Sequence, residues 1–239
     1  MKLDLLKAAT AATAAGRSAA LVTNLKSGLQ NLIGVTEKKG DLAISPTMEV
    51  AIAVAIRDDR STTVDTPDGP VFIEVFNPPL RCFVVGAVHI AQPLAQMAAL
   101  AGYAVTIIDP RSAFASEARF PGIALSTEWP DDAMATLRPD RRTAIVTLTH
   151  DPKIDDPALT AALRSQAFYI GALGSRRTHA SRCQRLSEAG FSAADLARIH
   201  GPIGLNIGAL SPAEIAVSIL GQITAVLRAD RLKAREAAA

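Results

Sequence analysis

The stretch Phe83-Val84-Val85-Gly86-Ala87-Val88-His89-Ile90-Ala91, answered downstream by Val105-Thr106-Ile107-Ile108-Asp109-Pro110-Arg111, decides the fold. Three apolar residues run into a glycine, a segment with apolar residues at helical spacing follows from Gln92 to Ala101, and a second apolar run ends on an acid. Strand, glycine turn, helix, strand and acid, in that order, open a doubly wound nucleotide-binding sheet. Asp109 follows Gly86 by roughly 20 residues, the spacing at which a carboxylate reads a ribose hydroxyl. Gly86 and Ala91 satisfy the first and last positions of the dinucleotide fingerprint. Val88 stands at its third, where glycine would let the backbone approach a pyrophosphate, and a branched side chain there is expected to crowd a dinucleotide.

Outward from this core the pattern continues as strands near Cys82 to Val85, Val105 to Ile108, Ala144 to Leu148 and Phe168 to Ile170, with helical stretches between them. Such alternation implies a parallel sheet with helices on both faces. Ser211-Pro212-Ala213-Glu214 opens the last long helix with a capping box, in which Ser211 and Glu214 each satisfy a free amide. The stretch from Arg228 to Ala239 reads as helix fraying into disorder.

The amino-terminal third reads differently. A helix is expected over Leu3 to Ala15, then a hairpin of Ala19 to Leu25 and Gln30 to Val35 around Lys26-Ser27-Gly28-Leu29. Ser45 caps a helix from Pro46 to Arg57, and Ser61 to Asp65 pairs with Val71 to Phe76 across the loop Thr66 to Pro70. Asn77-Pro78-Pro79 breaks both helix and ladder pairing, which makes it the natural boundary. The expected fold class is α/β: a small α+β amino-terminal domain, residues 1–78, followed by a doubly wound parallel, Rossmann-like sheet, residues 79–239.

Composition excludes several classes. The 239 residues are 49% hydrophobic and 20% charged, too apolar for a disordered chain. The formal net charge of +2 comes from scattered Lys and Arg residues, without a basic stripe interleaved with aromatics, so no nucleic-acid partner is expected. Only Cys82 and Cys183 are present, one in a predicted strand and one in a predicted helix, which indicates neither a disulfide framework nor a thiol metal site and fits a reducing cytoplasm. Asp4 and Lys7 interrupt the Ala-rich start, which therefore reads as a helix and not a signal peptide. No stretch approaches the roughly 20 apolar residues of a membrane span. His89, His150, His179 and His200 lack zinc-site spacing, no Gly-x-Ser-x-Gly elbow occurs, and neither glycine turn ends in Gly-Lys-Ser/Thr.

Ligands of an open parallel sheet bind beyond the carboxyl ends of its strands. The residues there are Gly86 and His89 after the first strand, Asp109, Pro110 and Arg111 after the second, Thr149, His150 and Asp151 after the third, and Gly171, Gly174, Ser175, Arg176 and Arg177 after the fourth. Gly171-Ala172-Leu173-Gly174-Ser175-Arg176-Arg177-Thr178 is a second glycine turn whose amides, hydroxyls and guanidinium groups suit a phosphate or other oxyanion. The bland alternative is a tight turn whose arginines pair with Asp109 or Asp151. His89, in the first helical turn after Gly86, either bonds a ligand or ties the loop to the sheet. His150 and Asp151 supply an acid and a base, or Asp151 or Asp155 caps a helix beginning near Asp156-Pro157. Arg119 in Arg119-Phe120-Pro121 reads as an anchor of its loop, with a place at the ligand edge as the alternative.

Gly86-Ala87-Val88-His89-Ile90-Ala91, Ile108-Asp109-Pro110-Arg111, Arg119-Phe120-Pro121, Leu148-Thr149-His150-Asp151, Tyr169 to Thr178 and Pro202-Ile203-Gly204-Leu205 together resemble the XdhC/CoxI family, in order and spacing, through most of residues 80 to 228. The resemblance is to a short form carrying the XdhC Rossmann domain. It implies a maturation chaperone that binds molybdenum cofactor, protects it during sulfuration and delivers it to a xanthine dehydrogenase or CO dehydrogenase-type hydroxylase. The ligand becomes a molybdopterin or its dinucleotide form, with phosphate at the Gly174 to Thr178 turn and the Gly86 and Asp109 loops flanking the rest.

Three features depart from the family pattern. Val88 replaces the second glycine of Gly-Ala-Gly-His while leaving His89 in register, and Asn206 replaces the aspartate that often follows Gly-Leu. The Gly-Gly-Cys-Val-Glu segment of longer relatives is missing, and Cys82 reads as a buried strand residue. Sulfur is therefore expected from a separate cysteine desulfurase, and the chain is expected to be no enzyme. Two other readings stay open: an NAD(P)-dependent oxidoreductase, favoured by Asp109 and disfavoured by Val88, and a cofactor-free scaffold for hydroxylase assembly. A homodimer remains an open alternative to a monomer.

Overall fold

The computed structural model describes residues 3–34 and 38–229. Val35, which the sequence assigns to the second strand, and residues 230–239 of the carboxyl-terminal stretch lie outside the described residues. The chain divides into two units, Met1–Pro78 and Pro79–Ala239.

The first unit runs α1 (Leu3–Ala14), β1 (Ala19–Asn24), β2 (Gln30–Gly34), β3 (Lys38–Gly40), α2 (Pro46–Asp58), β4 (Thr62–Thr66) and β5 (Gly69–Phe76). Its five strands form an antiparallel sheet in the order β3-β2-β1-β5-β4. Strand periodicity divides β1 between two helices. Ala19 and Leu21 pack with Leu5 and Ala9 of α1, while Ala20 and Val22 pack with Met48, Ile52 and Ala55 of α2. Ser45 caps α2 by accepting the Met48 amide, with Pro46 at its first position. The second hairpin is tighter than the expected five-residue loop: Thr66 pairs with Gly69, and the Thr66 hydroxyl donates to the Gly69 carbonyl at 2.6 Å. β3, three residues long, carries too short a pattern to be legible in sequence.

The second unit runs β6 (Leu80–Val85), α3 (Ala91–Leu100), β7 (Tyr103–Ile108), β8 (Ala124–Ser126), α4 (Pro130–Leu137), β9 (Thr143–Thr147), α5 (Pro152–Arg164), β10 (Tyr169–Ala172), α6 (Arg176–Glu188), α7 (Ala193–Leu196), β11 (Ile199–His200) and α8 (Pro212–Leu227). All six strands are parallel, in the order β11-β10-β9-β6-β7-β8. This is the expected doubly wound sheet, and its order reverses between β6 and β9. Alternate residues feed opposite cores. Cys82 and Val84 of β6 pack with Leu94 and Ala98 of α3 and Ile219 and Ile223 of α8. Phe83 and Val85 pack with Met134 of α4 and Ile154, Leu159 and Leu163 of α5. Cys82 is fully buried as expected, and burial pushes its thiol up to about 12.

Two helix starts differ from expectation. α3 begins at Ala91, so His89 lies in the turn before the helix and not in its first turn. α5 begins at Pro152, because the Asp151 side chain accepts the Lys153 amide and the proline occupies the first helical position. Pro157 therefore stands inside α5, where, having no N–H, it cannot donate to the carbonyl of exposed Lys153. The box at Ser211 and Glu214 forms as read, each residue bonding the other's backbone amide. Among the described residues no helix is long and apolar enough to cross a membrane.

Candidate functional site

The carboxyl ends of four neighbouring strands are tied together in strand order. At the end of β7, Asp109 is fully buried and accepts three kinds of donor. Its Oδ2 takes the Ala87 amide at 2.8 Å, its Oδ1 takes the Arg111 amide at 3.0 Å, and the Arg111 guanidinium grips both oxygens at 2.8 and 2.7 Å. Burial pushes this carboxyl up, but the Arg111 and Ala87 hydrogen bonds outweigh it and hold the group below the usual carboxylate range.

The Gly86 turn, fastened to Asp109 through Ala87, lies against the end of β9. Gly86 has φ +102°, and a Cβ there would stand 2.4 Å from Thr149 Cγ2. Only glycine tolerates both the conformation and the contact. Val88 of the same turn packs its side chain toward the α3 and α8 core. Thr149 is buried and donates to Asp155 Oδ1 at 2.6 Å. Asp155 in turn faces Arg182 of α6, whose Nη2 lies 3.4 Å from Asp155 Oδ2 and donates to the Leu173 carbonyl at 2.8 Å. Leu173 directly follows β10, so the chain of contacts crosses the ends of β7, β6, β9 and β10.

Arg182 is the unusual member. Only 2% of its side chain is exposed, yet Nε and Nη1 have no hydrogen-bond partner among the described residues. A buried donor left unpaired costs about 1–3 kcal/mol, more when charged. The residue borders a cavity of about 270 Å³ between the first turn of α5 and the first three turns of α6. His150, Pro152 and Asp155 form one wall, and Arg177, Thr178, Ser181 and Arg185 join Arg182 on the other. Burial outweighs the lowering influence of Thr149 and Arg182 and raises Asp155 to about 6.

Gly86, His89, Asp109, Arg111, His150, Asp151, Gly174, Ser175, Arg176 and Arg177 all lie in connections at the carboxyl edge, or at the first residues of the helix that leaves it. His89 and His150 are exposed. Asp151 caps α5, the structural one of its two expected roles, and Asp155 does not. Asp109 offers no free oxygen for a ribose: both are taken by Ala87 and Arg111. Gly171 belongs to β10 and not to the turn; a Cβ there would stand 2.5 Å from Ile203 Cδ1, so its small size serves packing. The turn proper begins at Leu173 and Gly174, where Gly174 has φ +136° and Ser175 caps α6 by accepting the Thr178 amide at 3.1 Å.

Arg176 and Arg177 are exposed and, among the described residues, have no ion-pair partner. Their expected structural partners are engaged elsewhere, Asp109 by Arg111 and Asp151 at its cap. Arg119 anchors its loop by donating from Nη1 to the Ala87 and Phe114 carbonyls, both at 2.7 Å. Four residues of the site escape sequence reasoning: Asp155 as an acid, and Ser181, Arg182 and Arg185. The available signal was helical period, since 178, 181, 182 and 185 share one face of the helix that Ser175 starts.

Residues 82–223 match the XdhC Rossmann domain. The chain is 34% identical over 151 residues to the molybdenum cofactor insertion chaperone PaoD of Escherichia coli strain K12, a match covering 63% of this chain and 41% of that protein. It is 32% identical over 154 residues to a probable xanthine dehydrogenase subunit from Bacillus subtilis strain 168, covering 64% of this chain and 44% of that protein. The matches thus span less than half the length of these curated relatives. A crystal structure described as a xanthine dehydrogenase from Bacillus halodurans superposes with a TM-score of 0.75, covering 97% of this chain and 68% of that one at 24% identity. At that identity the likeness speaks for the fold.

Proposed function

Since the chain belongs to the XdhC family, we propose that it is a maturation chaperone that holds molybdenum cofactor for a xanthine dehydrogenase-type molybdenum hydroxylase. The observation that carries this reading is the pair of exposed arginines, Arg176 and Arg177, without carboxylate partners among the described residues, at a glycine turn on the carboxyl edge of a doubly wound sheet. Cationic groups so placed recognise a phosphate-bearing ligand. The name of the 34% identical relative, a molybdenum cofactor insertion chaperone, supplies the class of that ligand.

The residues fit the phosphate end of such a cofactor. Gly174, Ser175, Arg176 and Arg177, with His150 opposite, hold the phosphate, while Gly86, His89 and Arg111 flank the rest along the same edge. Asp109 and Asp151 contribute by shaping the loops they bind and cap, and Gly171 by packing. The cofactor supplies the molybdenum centre at which the client hydroxylase works; this chain binds, orients and shields it.

Sulfur reaches the held cofactor from a partner, a cysteine desulfurase. Cys82 is unsuited to carry it, being fully buried with its thiol held up to about 12. The nicotinamide alternative loses its main support, because the carboxylate that would read the ribose is committed to Ala87 and Arg111.

The deciding experiment mixes purified protein with molybdenum cofactor and, separately, with NAD(P), then measures retained pterin fluorescence and nicotinamide absorbance after gel filtration. Retention of pterin alone is expected. Retention of nicotinamide alone would overturn the proposal.

A further inference from the structure

We infer that the cavity between α5 and α6 is a phosphate subsite with Arg182 at its base, and that it takes the phosphate end of the ligand while the organic part stays outside. The inference deepens the proposed function and rests on it only for the identity of that organic part. Arg182 was not among the residues legible in sequence, and its burial is what makes it informative.

A guanidinium carries five N–H donors. Arg182 commits only Nη2, to Leu173 and distantly to Asp155, and among the described residues its donors on Nε and Nη1 meet no acceptor although the side chain is 2% exposed. A buried guanidinium whose donors are left unmet carries an incompletely compensated positive charge, which favours an anion in the space beside it. The cavity beside them is furnished for one. Thr178, Ser181 and Arg177 line it, and His150 lines it from the β9 connection. Arg185 adds a third guanidinium, neutralised in part by Asp156 at 2.6 and 2.9 Å. Against these cations the wall presents one carboxylate, Asp155. At about 270 Å³ the space lies just under the roughly 300–1,000 Å³ of pockets that enclose a drug-sized ligand, and it is ample for a phosphate group.

The test titrates the full chain with inorganic phosphate and pyrophosphate, followed by calorimetry and 31P NMR. Wild-type protein is expected to bind, and Arg182→Met to bind at least ~10-fold more weakly, a loss of about 1.4 kcal/mol. Because a buried arginine can matter for folding, Ser181→Asp is the companion variant: it sets a negative charge at the exposed rim, leaves Arg182 in place, and is expected to weaken binding equally. Asp155→Asn removes the carboxylate of the cavity wall and is expected to tighten binding. Absence of phosphate binding by wild-type protein, or binding by Ser181→Asp and Arg182→Met equal to that of wild type, overturns the subsite.

The two proposals fail separately. Pterin retained alike by wild-type and Ser181→Asp proteins, with no phosphate bound, would leave the chaperone reading standing and remove the subsite. Arg182-dependent pyrophosphate binding that ADP displaces, without pterin retention, would keep the subsite, assign its phosphate to a nucleotide and remove the chaperone reading.

Discussion

The carboxylate of Asp109 accepts the backbone amide of Ala87 at 2.8 Å, so the end of β7 grips the turn at the end of β6. An acid at this position of a doubly wound sheet is ordinarily free to meet a ribose. Here Arg111 closes over it from the other side, and the acid becomes part of the scaffold.

Asp109→Ala is expected to destabilise the protein by about 1–3 kcal/mol, chiefly by leaving the buried Ala87 amide unpaired. The Arg111 side chain is 40% exposed, so its ion pair adds little beyond this. The folded carboxyl is held below its ordinary value, so its contribution is present above the unfolded pKa near ~3.9 and is lost as pH falls through the folded value. Urea unfolding of both proteins from pH 7 downward checks this; a stability difference that does not shrink in acid contradicts it.

Gly86→Ala is expected to cost about 2–4 kcal/mol, from a positive φ together with a methyl placed against Thr149. Adding Thr149→Ser removes the offending Cγ2, keeps a hydroxyl for Asp155, and should recover part of that loss but not the conformational share. Thermal denaturation of the single and double variants reads the coupling, and strict additivity would show that the two residues do not meet.

Asp155 should titrate near about 6, well above an ordinary carboxyl, because burial outweighs its contacts with Thr149 and Arg182, and nearby Asp156 pushes the same way. The sign follows from proton binding: between roughly pH 4 and 6 the folded chain keeps a proton that the unfolded chain releases, so this group makes stability fall as pH rises through that window. Carboxyl 13C shifts, with Asp155→Asn for assignment, would locate the midpoint, and one near 4 would refute the expectation.

Arg176→Ala combined with Arg177→Ala should leave folding unchanged, since both side chains are exposed and form no ion pair with a described residue. Pterin retention should drop by roughly 10- to 100-fold, the worth of one or two charge-assisted contacts. A hydroxylase maturation assay with the same variant separates holding from scaffolding: full maturation without the arginines would favour a cofactor-free scaffold.

Local features are legible in the sequence because they depend on neighbours in the chain. The alternation that sends Cys82 and Val84 to one face and Phe83 and Val85 to the other follows from strand period alone. The caps at Ser45 and Ser211 are read from residues at most three positions apart. β8 and β11, with three and two residues, carry too few side chains to show a period, and only their partners β7 and β10 define them.

From sequence alone came the glycine turn at Gly86, the acid that follows the second strand, and the basic turn at Gly174, hence the doubly wound sheet and the edge where a ligand would sit. Which group each charge would meet was decided only by tertiary structure. Asp109 turns inward to Ala87 and Arg111, and Asp155 meets Arg182, 27 positions further along the chain. Propensity and period act over a few residues, whereas the partner of a buried charge is selected by whichever strand ends the sheet order brings side by side, and by the cost of burying that charge without one.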